Sequence, residues 1–147
     1  MTSKRLRLFL DTSALIAGLL SSKGAAREVL RLGEAEIVEI VISKQVVVEA
    51  ERVLGKKFPT LMDSLHSFLK NLNPTIVPDP KRNQIEKAME WIHKDDAPIL
   101  AAALEADVDY LISWNTRHFM KKSVLENVPF SVNVPGDFLE DFRKMLS

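Results

Sequence analysis

Three acidic side chains stand at the edges of apolar segments that are distant in the chain: Asp11 in LRLFLDTSAL, Glu49 in SKQVVVEAERVL and Asp96 in DDAPILAAALEADVDYLISWN. A carboxylate beside an apolar element is costly unless it gains a partner. Three that converge share a natural partner in a divalent cation bound through oxygen. Without the cation they repel one another, and at least one takes up a proton near neutral pH. With it, the site can polarise a phosphodiester oxygen and lower the pKa of a bound water towards ~7.

Each acid also has an ordinary explanation. Asp11 can begin a turn or cap a helix starting at Ala14, and Asp96, ahead of Ala97-Pro98, is a good N-cap. Capping and metal binding are compatible, because a carboxylate has two oxygens. Glu49 flanks the helical stripe through Val46 and Val53, while Glu51 flanks its other side through Val47 and Leu54. Helical geometry does not choose between them.

The elements that must position these acids alternate in type. Residues 6–10 read as a short strand, after which Thr12 or Ser13 caps a helix from Ala14. Lys23-Gly24 breaks that helix, and a second spans 25–32 with Gly33 as its stop. Residues 36–42, EIVEIVI, are β-branched and form the second strand. Ser43 caps the helix carrying Glu49, another helix follows at 60–72, and 74–78 is a short strand fenced by prolines. Asp79-Pro80 opens a helix with Ile85, Met89 and Ile92 at core spacing. Eight of the eleven residues from 96 to 106 are Ala, Ile or Leu, so the helix after Asp96 is buried on several sides. Strands at 108–113 and 130–134 precede a last helix at 137–146, with Phe138, Leu139, Phe142 and Leu146 inward.

This alternation predicts an α/β fold with a parallel sheet between helices, over a single domain of residues 1–147. Sites in such sheets form outside the carboxyl ends of the strands, where Asp11 stands.

Composition narrows the function. The chain has no cysteine, which excludes disulfides, thiolate zinc sites and cysteine nucleophiles. Twenty basic and twenty acidic residues cancel, which argues against coating nucleic acid through bulk charge but not against a local basic rim. The opening apolar run is interrupted by Arg7 and ended by Asp11, unlike a signal peptide, and no stretch approaches a membrane span. A cytoplasmic protein is expected.

The motifs resemble those of PIN-domain nucleases, the fold of many prokaryotic VapC-type toxin ribonucleases, and the likeness covers nearly the whole chain. The family's apolar strand ending in Asp-Thr-Ser/Asn is FLDTSALIAGLLSSKGAA here, with its Lys-Gly break. The pattern of Ser, then Glu, then Val-Leu falls on Ser43, Glu49, Val53 and Leu54, and so selects Glu49 over Glu51. Asp followed by an alanine-rich helix and a strand is DAPILAAALEADVDYLISWN, with Ser113 where the family has Thr or Ser. FSVNVPGDFL resembles the closing segment. One departure stands out. Where the family often has a fourth acid, this chain reads SWNTRHF, which puts Asn115 and His118 at the two candidate positions.

The resemblance implies a three-layer α/β/α sandwich around a mostly parallel sheet of about five strands. It implies a Mg²⁺- or Mn²⁺-dependent endoribonuclease, with Asp11, Glu49 and Asp96 as metal ligands and Asn115 beside them in catalysis. Thr12, Ser13, Ser113 and His118 would support them. Lys23, Arg27, Lys44 and Arg117, with Lys121 and Lys122, flank the motifs as phosphate contacts, although a solvated face explains them equally well. Trp114 could stack a base or simply pack. Three formal charges rather than four favour one tightly held ion, and a histidine in the shell shifts preference towards Mn²⁺. A homodimer and an antitoxin inhibitor are implied too. The alternative is a PIN-fold module that binds RNA or protein without cutting. A phosphatase using an aspartyl nucleophile is disfavoured because position 13, which needs a second Asp, is Ser; a receiver domain is disfavoured because the pair Asp95-Asp96 follows Asp11.

Overall fold

Five parallel strands in the order β3-β2-β1-β4-β5 organise the protein, seen in a computed structural model that describes residues 4–147. They are β1 (Arg7–Leu10), β2 (Glu39–Ser43), β3 (Thr75–Val77), β4 (Tyr110–Ile112) and β5 (Ser131–Asn133). The central strand carries Leu8, Phe9 and Leu10, all buried. Such a run without polar alternation is what a strand covered on both faces requires. Phe9 lies level with Val41 on one side and Leu111 on the other, which fixes the register of the core.

The crossovers are helical. β1 leads through α1 (Thr12–Leu20) and α2 (Ala25–Glu34) to β2, and β2 through α3 (Lys44–Lys57), a single 3₁₀ turn (Pro59–Leu61) and α4 (Met62–Leu72) to β3. From β3 the chain passes through α5 (Arg82–Ala88) and α6 (Ala97–Glu105) to β4, and from β4 through α7 (Thr116–Phe119) and α8 (Lys122–Leu125) to β5. α9 (Pro135–Leu146) follows. α1 to α4 and α9 pack on one another as one layer, and α5 pairs with α6 as the other. In α6, Ala97 and the run Ile99–Ala103 are buried, as its composition predicts. The result is the expected α/β/α sandwich. Because the central strands run in one direction, the residues just past β1, β2 and β4 meet at one edge of the sheet, where the Asp11 N–H donates to Ile112 O at 3.2 Å.

Several local expectations need correction. Of the caps the sequence offers for α1, Asp11 holds and Thr12 and Ser13 do not: its carboxylate accepts the Ala14 N–H at 2.9 Å, and the helix starts at Thr12 rather than Ala14. Gly33 does not stop α2 but lies inside it, and the left-handed turn falls at Glu36 instead; a Cβ at Gly33 would stand 2.4 Å from Ile40 Cγ1, so the bare position lets α2 settle on the sheet. β2 begins at Glu39, since Glu36 adopts a left-handed φ of 61° and turns the chain first. α5 begins at Arg82 and ends at Ala88, which leaves Met89 46% exposed rather than in the core. Met145 and Leu146 are exposed in the last turn of α9, so the inward stripe ends at Phe142. The short helices α7 and α8 were not foreseen; four residues are too few to show a helical period.

Candidate active site at the carboxyl edge of the sheet

Asp11 stands where β1 ends, 3% exposed, one of the few buried polar residues among those described. Its Oδ1 accepts from Ser13 Oγ at 2.7 Å and from the Ala14 N–H at 2.9 Å. Its Oδ2 accepts from Ser113 Oγ, at the end of β4. Burial nevertheless pushes the carboxyl above its ordinary value of 3.8. Desolvation outweighs the hydrogen bonds from Ser113, Ser13 and Ala14, and the negative charge of Asp96 acts in the same direction as burial. Among the described residues no basic side chain pairs with Asp11 or Glu49.

The two serines do more than satisfy Asp11. Ser13 Oγ also accepts the Trp114 N–H at 3.0 Å, and Ser113 Oγ the Asn115 N–H at 2.8 Å. The two hydroxyls lie 3.5 Å apart. They fasten the loop after β4 to the carboxylate after β1.

Glu49 reaches the same edge from the first half of α3, a helix set by the Ser43 cap on the Val46 N–H at 3.3 Å. Thr12 Oγ1 donates to its Oε2 at 2.7 Å, and Gln45 Nε2 donates to its Oε1 at 3.0 Å. Glu51, the other sequence candidate, instead faces His66, with Nε2 3.1 Å from Oε2. Gln45 was missed in the sequence, although its place four residues before Glu49 is the signal of a helical side-chain pair.

Asp96 precedes α6, but no side-chain capping bond forms there. Its Oδ2 lies 2.8 Å from His118 Nδ1, on α7. Asn115 Nδ2 is 3.1 Å from the same ring nitrogen. If Nδ1 carries a proton for Asp96, the Asn115 amide turns its carbonyl oxygen to the ring, since the two ends of an amide exchange by a flip. Thr12, Ser13, Ser113, Asn115 and His118 thus all bond to one of the three acids or to another member of this chain of contacts.

The basic candidates divide. Lys23, Lys44 and Arg117 are exposed. Arg27 is engaged elsewhere: its Nε donates to Gly18 O, its Nη2 to Leu19 O at 3.0 Å, and its guanidinium lies 5.1 Å from the centre of the Phe68 ring. It braces α1, α2 and α4.

A hard divalent cation prefers oxygen donors and negative charge. Asp11, Glu49 and Asp96 supply both, and the uncompensated burial of Asp11 beside a second acid is an environment that a cation relieves. In their present rotamers the acids face their serine, threonine, glutamine and histidine partners. Among the described residues no group of three or more His, Cys, Asp or Glu side chains is arranged to hold a metal. The donor chemistry suits a hard cation.

Comparison with known proteins agrees with this architecture. The sequence model of the PIN domain matches residues 7–117. No curated protein matches the chain. Among solved structures, PAE2754 from Pyrobaculum aerophilum superposes with a TM-score of 0.63 at 16% identity, over 92% of this chain and 88% of that one. VapBC2 from Rickettsia felis, solved bound to a DNA fragment from its promoter, gives 0.63 at 17% identity over 87% of this chain and 98% of that one. The sarcin-ricin-loop-cleaving toxin VapC20 from Mycobacterium tuberculosis gives 0.56 at 14% identity over 82% and 95%. At these identities the neighbours speak for the fold. With a match running from β1 into α7, this chain belongs to the PIN domain family.

Proposed function

We propose that the protein is a divalent-metal-dependent endoribonuclease that hydrolyses RNA phosphodiester bonds. The observation that carries this reading is Asp11: a carboxylate 3% exposed, held by Ser13, Ser113 and the Ala14 N–H, set against Asp96 and without a basic partner among the described residues. Keeping a carboxylate there costs desolvation energy, and the cation it attracts offsets that cost.

Asp11, Glu49 and Asp96 would hold Mg²⁺ or Mn²⁺, and Asn115 offers a neutral oxygen beside them. When bound, the ion supplies Lewis-acid polarisation of the scissile phosphate and acidifies a water for in-line attack. The chain's own part is positioning. Ser13 and Ser113 orient Asp11, Thr12 and Gln45 orient Glu49, and His118 orients Asp96. Lys23, Lys44 and Arg117, all exposed, meet the RNA backbone.

The structural neighbours supply the biological setting of the proposal. One neighbour is a toxin that cleaves the sarcin-ricin loop, and another was solved as VapBC2 on promoter DNA. By extension we place this chain as the toxin of a toxin-antitoxin pair, a cytoplasmic homodimer inhibited by an antitoxin. No helix among the described residues is long and apolar enough to cross a membrane.

The test is an RNase assay in Mn²⁺ or Mg²⁺ on wild type and Asp11→Asn. Cleavage that EDTA abolishes and the variant lacks supports the reading; equal activity in the variant overturns it. A second reading, a PIN-fold module that binds without cutting, is favoured by the present rotamers, which bring no three acids into a ligating group among the described residues. RNA binding without metal-dependent cleavage would select it.

A further inference from the structure

Trp114 directly follows β4 and Ser113, all buried, yet its own side chain is 48% exposed. Among the described residues no aromatic ring stacks on it and no cationic side chain lies over it. Neither ring stacking nor a cation–π contact accounts for the exposed part of the indole. Its mount is fixed: the Trp114 N–H donates to Ser13 Oγ, whose own proton goes to Asp11 Oδ1. The next amide, of Asn115, is held the same way by Ser113, which also donates to Asp11. The ring is thus anchored one hydroxyl away from the candidate catalytic carboxylate.

The segment that Trp114 opens carries charge of one sign. From Ser113 to Leu125 the chain reads SWNTRHFMKKSVL, with Arg117, Lys121 and Lys122 and no Asp or Glu, in a protein whose formal net charge is zero. Arg117 and Lys121 are exposed and form no ion pair among the described residues. An exposed aromatic among unpaired cations is the combination that binds single-stranded nucleic acid, with the ring taking a base and the cations the backbone.

We propose that Trp114 is a base-stacking platform for an unpaired nucleobase next to the phosphate at the Asp11–Asp96 site, with Arg117 and Lys121 on the backbone beside it. The proposal rests on the ribonuclease reading and narrows its substrate to single-stranded or looped RNA, because only an unstacked base can offer its face to the indole.

The chain has two tryptophans, so Trp91→Phe leaves Trp114 as the sole indole reporter. That protein, with Ca²⁺ in place of the catalytic ion, is titrated with a mixed-sequence single-stranded RNA oligonucleotide carrying a terminal dye. Anisotropy reads binding and indole fluorescence reads stacking. We expect quenching in step with binding, and little with the same sequence as a duplex. Trp114→Ala is expected to weaken single-strand binding by roughly five- to hundredfold, the range of one base–aromatic stack. Trp114→Phe should retain most of the affinity and Trp114→Leu should not. Binding without quenching, or wild-type affinity in the Ala and Leu variants, overturns this inference and leaves the ribonuclease reading standing. Absence of any RNA binding by the wild type overturns both. A Trp114→Ala change that alters self-association while RNA affinity stays constant makes the ring a protein contact, and also overturns it.

Discussion

His118 Nδ1 lies 2.8 Å from Asp96 Oδ2, so the acid that opens α6 is held from the loop after β4 rather than by its own helix. Both side chains reach solvent, at 41% and 18% exposure, so the pair contributes little to stability. Its consequence is orientation. A histidine on one carboxylate oxygen fixes how the other is presented.

His118→Ala should therefore cut RNA cleavage by roughly 10- to 100-fold, the usual cost of losing an outer partner of a ligand. The same variant should melt within the ~0.5 kcal/mol range of surface substitutions. Cleavage rates and melting curves measured side by side check both halves. Undiminished cleavage would remove His118 from the site.

Asp11 predicts a specific pH dependence in metal-free protein. Its folded-state value is raised above 3.8 by burial first and by Asp96 second, with the hydrogen bonds from Ser113, Ser13 and Ala14 opposing. A raised acid binds its proton more tightly in the folded protein than in the unfolded chain. Its contribution to stability is thus complete below the ordinary carboxylate value and lost as pH rises through the raised one. Asp11→Asn carries no such proton. In EDTA, the melting temperature of the variant relative to wild type should climb as pH rises from about 4 to 7. Comparing the two proteins cancels the carboxylates that do not interact with Asp11, and a difference flat with pH would contradict the burial argument.

How far this site could be read in the sequence follows from what periodicity and motif can carry. The alternation of strands and helices is legible, and so is Asp11 as the residue following β1, because β1 after Arg7 is apolar and buried; Ser113 reads as part of its strand, and only the resemblance singles it out. The choice of Glu49 comes from the resemblance, and one of its two partners is Thr12, which no helical wheel of α3 contains. Tertiary partners are invisible to local rules. Asp96 reads as a cap, yet its carboxylate answers to His118 across 22 positions. Gly33 reads as a stop, yet the demand on it comes from Ile40 on the sheet. Arg27 reads as a phosphate contact, yet two carbonyls and a ring had already engaged it.

Metal should stabilise the fold through the same acids. A ligand at a hundred times its Kd adds ~2.7 kcal/mol to folding, about 5–10 °C for a domain of this size. Wild type titrated with Mn²⁺ should show a saturable rise in melting temperature. Asp11→Asn and Asp96→Asn should lose most of it, while Lys44→Ala, an exposed position, should keep it. A rise of equal size in all four proteins would place the ion elsewhere.

Arg27 separates structural from chemical roles among the basic candidates. It donates to Gly18 O and Leu19 O, the last turn of α1, and lies over Phe68 of α4, so one guanidinium closes three helices on each other. Arg27→Ala removes the ring contact and leaves two helix-terminal carbonyls without this donor. Together these should cost about 1–3 kcal/mol. Arg27→Lys keeps the charge but cannot reproduce the planar fork, so it should recover only part of the loss. Neither change touches Asp11, Glu49 or Asp96, so metal-dependent cleavage by the folded fraction should stay near wild type. Denaturant melts and single-turnover cleavage below the melting transition would check this. Cleavage that falls in both variants while stability holds would instead put Arg27 on the substrate.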